Sequence, residues 1–167
     1  MSNKTVIVIN GKGGVGKDTL CDIVAKHYPT INVSTITPYK VVAQQLGWKG
    51  EKSDRARKFL SELKRISVEY NDYPTDYLFA NWKSFMQSNY SVMFVHIREP
   101  EEIDKFKRWV PNVKTLLVDS KRVQREFGNS SDDKVMNYDY DYVYMNDKPL
   151  EEVEEDFMKF FNTTVMG

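Results

Sequence analysis

Short apolar runs alternate along the chain with longer stretches in which apolar residues return every three or four positions. Runs stand at Thr5 to Ile9, Ile31 to Thr37, Val92 to Ile97, Thr115 to Asp119 and Asp141 to Met145, and most are short, β-branched and continuous. That pattern predicts strands buried on both faces, as in a parallel sheet. The spacing between them predicts helices over Lys17 to His27, Lys40 to Leu46, Asp54 to Tyr70, Asp76 to Gln87, Glu101 to Trp109 and Leu150 to Phe161. Pro100 and Pro149 stand near first-turn positions, each followed by paired glutamates that suit the positive end of a helix. Alternation of this kind predicts an α/β chain built on a five-stranded parallel sheet with helices on both faces. Ligands then bind beyond the carboxyl ends of the strands. No repeat, low-complexity tract or linker marks a second domain, so residues 1–167 read as one unit.

The residues that leave the first strand change the picture most. Asn10-Gly11-Lys12-Gly13-Gly14-Val15-Gly16-Lys17-Asp18-Thr19 directly follows Val6-Ile7-Val8-Ile9 and fits G-x-x-x-x-G-K, the phosphate-binding loop, or P-loop. Backbone N–H groups of such a turn point inward, and the helix beginning near Gly16 adds its positive end to the same concavity. Gly11, Gly13, Gly14 and Gly16 are expected to serve left-handed backbone angles and close approach of phosphate oxygens. Lys12 and Val15 complete the loop, and Lys17 supplies a mobile charge for the outer phosphates of ATP. Asp18 occupies the position where a Ser or Thr hydroxyl normally touches Mg²⁺. A carboxylate is a hard oxygen ligand, so Asp18 is the metal candidate, with Thr19 as a nearby hydroxyl. The expected architecture is therefore a three-layer P-loop NTPase fold.

Composition narrows the partners. Lys plus Arg number 24 and Asp plus Glu 24, a balance that argues against a dedicated nucleic-acid or anionic-membrane surface. The single cysteine, Cys21, excludes internal disulfides and reads as a small core residue. Met1-Ser2-Asn3-Lys4 lacks the features of a signal peptide, and no apolar run reaches membrane-spanning length, so a cytoplasmic protein is expected. Monomer and homodimer are both open.

Two stretches interrupt the regular alternation. A mostly helical insertion, approximately 48–90, carries Arg55, Arg57, Lys58, Lys64 and Arg65 and then Tyr70, Tyr73 and Tyr77. A second, 120–138, carries Lys121, Arg122 and Arg125 before Gly128-Asn129-Ser130-Ser131. In a phosphate-binding parallel-sheet protein the first is a natural acceptor clamp and the second a short lid. Tyr138, Tyr140, Tyr142 and Tyr144 alternate as one face of a strand would.

In order along nearly the whole chain, these residues resemble P-loop nucleoside monophosphate kinases, specifically phage-type deoxynucleoside monophosphate kinases and their bacterial relatives. Gly16-Lys17-Asp18-Thr19 is similar to that group's G-K-D-T ending. Thr37-Pro38-Tyr39-Lys40 looks like its Pro-x-Lys segment, and Arg57-Lys58-Phe59-Leu60 resembles its substrate helix. His96-Ile97-Arg98-Glu99 resembles the Asp-x-Arg strand end, with His96 where the family carries a metal-organising Asp. Tyr142-Val143-Tyr144-Met145-Asn146-Asp147 followed by Leu150-Glu151-Glu152 is similar to the last strand, Asn turn and closing helix of dephospho-coenzyme A kinases, and the group is also similar to adenylate kinase.

The resemblance implies ATP and Mg²⁺ as cofactors and a nucleoside monophosphate or similar phosphorylated metabolite as substrate. It implies that Lys17 and Arg98 meet the transferring phosphoryl, that Arg122 and Arg125 close over it, and that Lys40, Arg55 and Arg57 bind the acceptor. Asn146 would border the adenine. An acceptor phosphate is ionised at neutral pH, so no general base is required. Three rival readings stay open. Lys12-Gly13-Gly14-Val15-Gly16-Lys17 also looks like the deviant P-loop of partitioning-type ATPases, in which the early lysine reaches a partner's nucleotide. The others are a P-loop kinase of another small metabolite and a catalytically degenerate ATP-binding module, the latter suggested by His96.

Overall fold

A computed structural model of the chain describes residues 3–123 and 134–167. Strand β1 (Thr5–Asn10) lies at the centre of a five-stranded sheet. It is flanked by β3 (Val92–His96) on one side and β4 (Lys114–Asp119) on the other. β2 (Thr30–Ser34) pairs outside β3, and β5 (Tyr142–Met145) outside β4, giving the order β2-β3-β1-β4-β5 with every pairing parallel. Val6 to Ile9 and Val92 to Val95 are buried throughout, which is why these strands read as continuous apolar runs.

Helices cover both faces. On one, α1 (Lys17–His27) and α6 (Leu150–Phe160) pack with Ile7, Ile9, Phe94, Leu116 and Val118. On the other, α4 (Tyr73–Gln87) and α5 (Pro100–Trp109) contribute Leu78, Phe85, Ile103 and Phe106 against Val6, Val8, Met93 and Val95. Alternate residues of β1 thus feed two separate cores, so the strand ending at Asn10 is held from both sides.

Helices α2 (Thr37–Gln45) and α3 (Asp54–Asn71) complete the insertion between β2 and β3. Ser53 caps α3, its Oγ accepting from Ala56 N at 3.2 Å. Three boundaries differ from the sequence reading by three residues each. β2 stops at Ser34, and α2 begins at Thr37, because Pro38 sits in the first turn of that helix. α4 begins at Tyr73 for the same reason, with Pro74 in its first turn. The chain also extends α6 by a π-helical turn, Phe161–Val165, whose Phe161 and Val165 are buried.

The four alternating tyrosines do not share one face. Tyr142 and Tyr144 pack on the α1/α6 core, whereas Tyr138 and Tyr140 pack on the α4/α5 core. Strand pairing starts only at Tyr142, because the Asp141 carboxylate accepts from Thr115 N and Oγ1 and leads the chain into the sheet.

Candidate active site

The P-loop leaves the carboxyl end of β1 and turns into α1. Gly14 (φ 83°) and Gly16 (φ 88°) are left-handed, the conformation that lets successive N–H groups face one concavity. Gly11 is needed for a different reason. A Cβ there would lie 2.7 Å from the Val118 carbonyl oxygen and 2.8 Å from Val15 Cγ2. At Gly16 a Cβ would meet Asn146 Nδ2 at 2.5 Å. At Gly13 only the expected left-handed angle is corrected: its φ is not left-handed, and a Cβ there would meet no protein atom within 4 Å among the described residues.

Two asparagines brace the loop. Asn10 Oδ1 accepts from Gly11 N at 2.9 Å, while its Nδ2 donates to Tyr140 Oη at 3.0 Å and to the Arg98 carbonyl at 3.3 Å. The end of β1 is thereby tied to the residue carrying the candidate transfer arginine. Asn146 Nδ2 donates to the Val15 carbonyl at 2.8 Å, and Asn146 N donates to the Asp119 carbonyl at 2.8 Å. Asn146 therefore supports the back of the P-loop and is buried; its Oδ1 makes no hydrogen bond among the described residues.

Lys17 opens α1, half-buried. Its pKa is held below the ordinary lysine value first by burial and then by the positive charge of Arg98, with Asp18 opposing. Lys17, at the start of α1, and Arg98, just after β3, thus lie within each other's field at the carboxyl edge of the sheet. His96, the last residue of β3, lies in the same field. Burial, followed by repulsion from Lys17, brings its pKa down to about 4, so its ring is neutral at physiological pH. Its Nε2 stands 3.0 Å from Asn32 Oδ1 and donates to it. Asp18, in the first turn of α1, is exposed.

A second cluster, absent from the sequence reading, continues the edge. Lys64 of α3, with only 12% of its side chain exposed, donates to Thr35 Oγ1 (3.2 Å), Glu99 Oε2 (3.2 Å) and Glu102 Oε2 (3.0 Å). These come from the end of β2, the residue after Arg98 and the first turn of α5. Burial raises the Glu102 pKa more than Lys64 lowers it. The insertion is thus anchored beside Arg98 by an internal cation.

The remaining candidates are distributed as follows. Lys12 is half-buried, with its carbonyl accepting from Val15 N at 3.4 Å, and Thr19 is exposed. Lys40 on α2 and Arg55 and Arg57 at the start of α3 are exposed on the insertion. Arg122 Nη2 donates to the Asn146 carbonyl at 2.8 Å, and its Nε donates to Ser120 Oγ at 3.3 Å. Those bonds tie its guanidinium to the turn that follows β5. Arg125 lies outside the described residues, as does most of the 120–138 segment. Sequence reasoning gave Lys64 only as a charge of the insertion and Asn10 only as the first residue of the loop, and it gave Glu99 and Glu102 no place in the site. The Arg98-Glu99 adjacency was the one available signal.

A parallel β2-β3-β1-β4-β5 sheet with a P-loop between β1 and α1 is the P-loop kinase fold. Among solved structures, the shikimate kinase from Aquifex aeolicus vf5 is similar at 16% identity and a TM-score of 0.50, covering 98% of this chain and 99% of that one. An unliganded sugar kinase from Janibacter sp. HTCC2649 is similar at 16% identity and a TM-score of 0.48, covering 96% of each chain. A gluconokinase from Sinorhizobium meliloti 1021 gives 13% identity and a TM-score of 0.44, covering 95% and 92%. At these identities the likeness is one of fold. No family model matches the chain, and none of the curated proteins does. No helix among the described residues is long and apolar enough to cross a membrane.

Proposed function

We propose that the chain is an ATP-dependent phosphotransferase acting on a small phosphorylated acceptor, a nucleoside or deoxynucleoside monophosphate. The observation that carries this reading is that Lys17, at the start of α1, and Arg98, just after β3, lie within each other's field beside the glycine-rich loop. A lone triphosphate needs the cup and the lysine. The arginine at the neighbouring strand end suits a second reactant whose phosphate must be brought in line.

In the reaction, an acceptor phosphate oxygen attacks the γ-phosphorus and the bond from that phosphorus to the β,γ-bridging oxygen breaks, releasing ADP. The loop amides and Lys17 offset the charge that builds on the β- and γ-oxygens, and Arg98 holds the oxygens of the transferring group. Asn10 positions Arg98 through its carbonyl, and Lys64 does so through Glu99. Lys40, Arg55 and Arg57 of the insertion supply acceptor charge, and Arg122 and Arg125 meet the transferring phosphoryl group.

The donor set fits Mg²⁺ through Asp18 and phosphate oxygens. Among the described residues no group of three His, Cys, Asp or Glu side chains could hold a metal by itself, and nucleotide-bound Mg²⁺ needs only one or two carboxylates beside its waters. A neutral His96 does not suit it. When bound, Mg²⁺ would neutralise phosphate charge. The neutral imidazole also supports a second reading, a P-loop protein that binds ATP and turns it over poorly.

A coupled assay of ADP release over a panel of ribo- and deoxyribonucleoside monophosphates tests the proposal, with Lys17→Ala as control. Acceptor-dependent release with at least one of them, lost by two or more orders of magnitude in the control, is the expected result. ATP binding without release on any acceptor would overturn the phosphotransferase reading in favour of the second.

A further inference from the structure

Beyond the P-loop, the flank of the α4/α5 pair holds a cavity of about 480 Å³, within the range of sites for small organic ligands. Leu78, Phe79 and Phe106 form its apolar walls, and Trp109, 64% exposed at the end of α5, presents an uncovered indole at its rim. Its polar groups are arranged by charge. Glu102 lines the cavity with one oxygen committed to Lys64, and among the described residues its other oxygen, Oε1, has no partner. Arg108 also lines the cavity and makes no ion pair among the described residues, whereas neighbouring Lys105 is engaged by Asp72 at 2.8 Å.

Each feature selects part of a ligand. Flat aromatic walls favour a planar body, because stacked or edge-on rings gain more than their buried area alone. A free carboxylate oxygen next to a committed one accepts an N–H donor. An unpaired guanidinium prefers an anion and binds it with two parallel hydrogen bonds. We propose that this cavity is a second small-molecule site, separate from the P-loop, for a planar aromatic amine that carries an acidic group. Because Glu102 also receives Lys64, whose other partner Glu99 follows Arg98, an occupant would be felt beside the P-loop. The site itself stands whether or not the phosphotransferase reading does.

The probe is 1-anilinonaphthalene-8-sulfonate, an aromatic amine with one sulfonate, titrated into the intact chain carrying Trp48→Phe and Trp82→Phe so that Trp109 alone reports. One-to-one saturable binding that quenches Trp109 is expected, and it should persist in Lys17→Ala and in excess ATP. Arg108→Glu should weaken binding tenfold or more. Lys107→Glu makes the same charge change on α5 without lining the cavity and should leave binding within twofold. Two natural sources share this chemistry, so displacement is measured with adenosine 5′-monophosphate and with 4-aminobenzoate in the Lys17→Ala background; displacement by either supports the site. Equal effects of the two charge reversals, loss of binding in Lys17→Ala, absence of Trp109 quenching, or displacement by neither compound would each overturn it.

Discussion

Gly11→Ala and Gly13→Ala place the same methyl group two residues apart in one loop, and the structure assigns them opposite outcomes. At Gly11 the new carbon would stand 2.7 Å from the Val118 carbonyl oxygen and 2.8 Å from Val15 Cγ2. The oxygen belongs to β4, which pairs directly with β1, so it cannot rotate away as a side-chain tip could. Restoring ordinary contact requires the strand end to move by several tenths of an ångström. Overpacking of this kind costs about 1–3 kcal/mol. For a domain of this size each kcal/mol shifts Tm by about 2–4 °C, so a loss of roughly 2–12 °C is expected. At Gly13 nothing lies within 4 Å, and the backbone is not left-handed. Alanine there removes freedom from the unfolded chain and should stabilise by about 0.4–1 kcal/mol, leaving Tm unchanged or slightly raised. Thermal unfolding followed by circular dichroism, without nucleotide, distinguishes the two. If Gly13→Ala lowers Tm as much as Gly11→Ala does, the packing account of this loop is wrong.

Three other outcomes follow from the same residues. Because His96 has a folded pKa of about 4 against an ordinary 6.5, the folded chain binds fewer protons. Its contribution to stability is complete above pH 6.5 and is lost as pH falls through about 4, so denaturant midpoints measured from pH 7 to 4 should fall less steeply in His96→Asn. Lys64→Met leaves Glu99 and Glu102 adjacent without their shared cation and should cost about 1–3 kcal/mol by urea unfolding. Lys64→Arg should recover most of that loss, and an unaltered Lys64→Met midpoint would contradict the anchoring role. Burial pushes the Cys21 thiol up to about 12, so a thiol reagent at pH 8 should label it only in denaturant; rapid labelling of native protein would show that α1 opens readily.

What could be read from the chain follows the range of the forces involved. The continuous run Val6-Ile7-Val8-Ile9 announced a strand buried on both faces, and the glycine spacing with Lys17 announced a phosphate loop, because both patterns arise within a few consecutive residues. Helix starts were less legible. Pro38 and Pro74 stand in first turns, Pro38 where the chain has just left β2 and Pro74 directly after Asp72 ends α3. The left-handed angle expected at Gly13 did not appear because a motif records glycines without recording which ones adopt a positive φ. Tyr138 and Tyr140 parted from Tyr142 and Tyr144 because the Asp141 to Thr115 hydrogen bonds, which join positions far apart in the chain, decide where β5 begins.

The amino-acid order by itself determined that this protein would build a parallel α/β sheet with a phosphate-binding turn after its first strand, since local periodicity and backbone freedom carry that information. Only the tertiary structure decided that Lys17 lies in the field of Arg98, that Asn146 braces the loop from just after the last strand, and that Lys64 joins α3 to the end of β2 and to α5. Those contacts depend on which strand ends become neighbours at one edge of the sheet. That is settled by burial of two apolar faces over the whole molecule, and it leaves no short-range trace in the sequence.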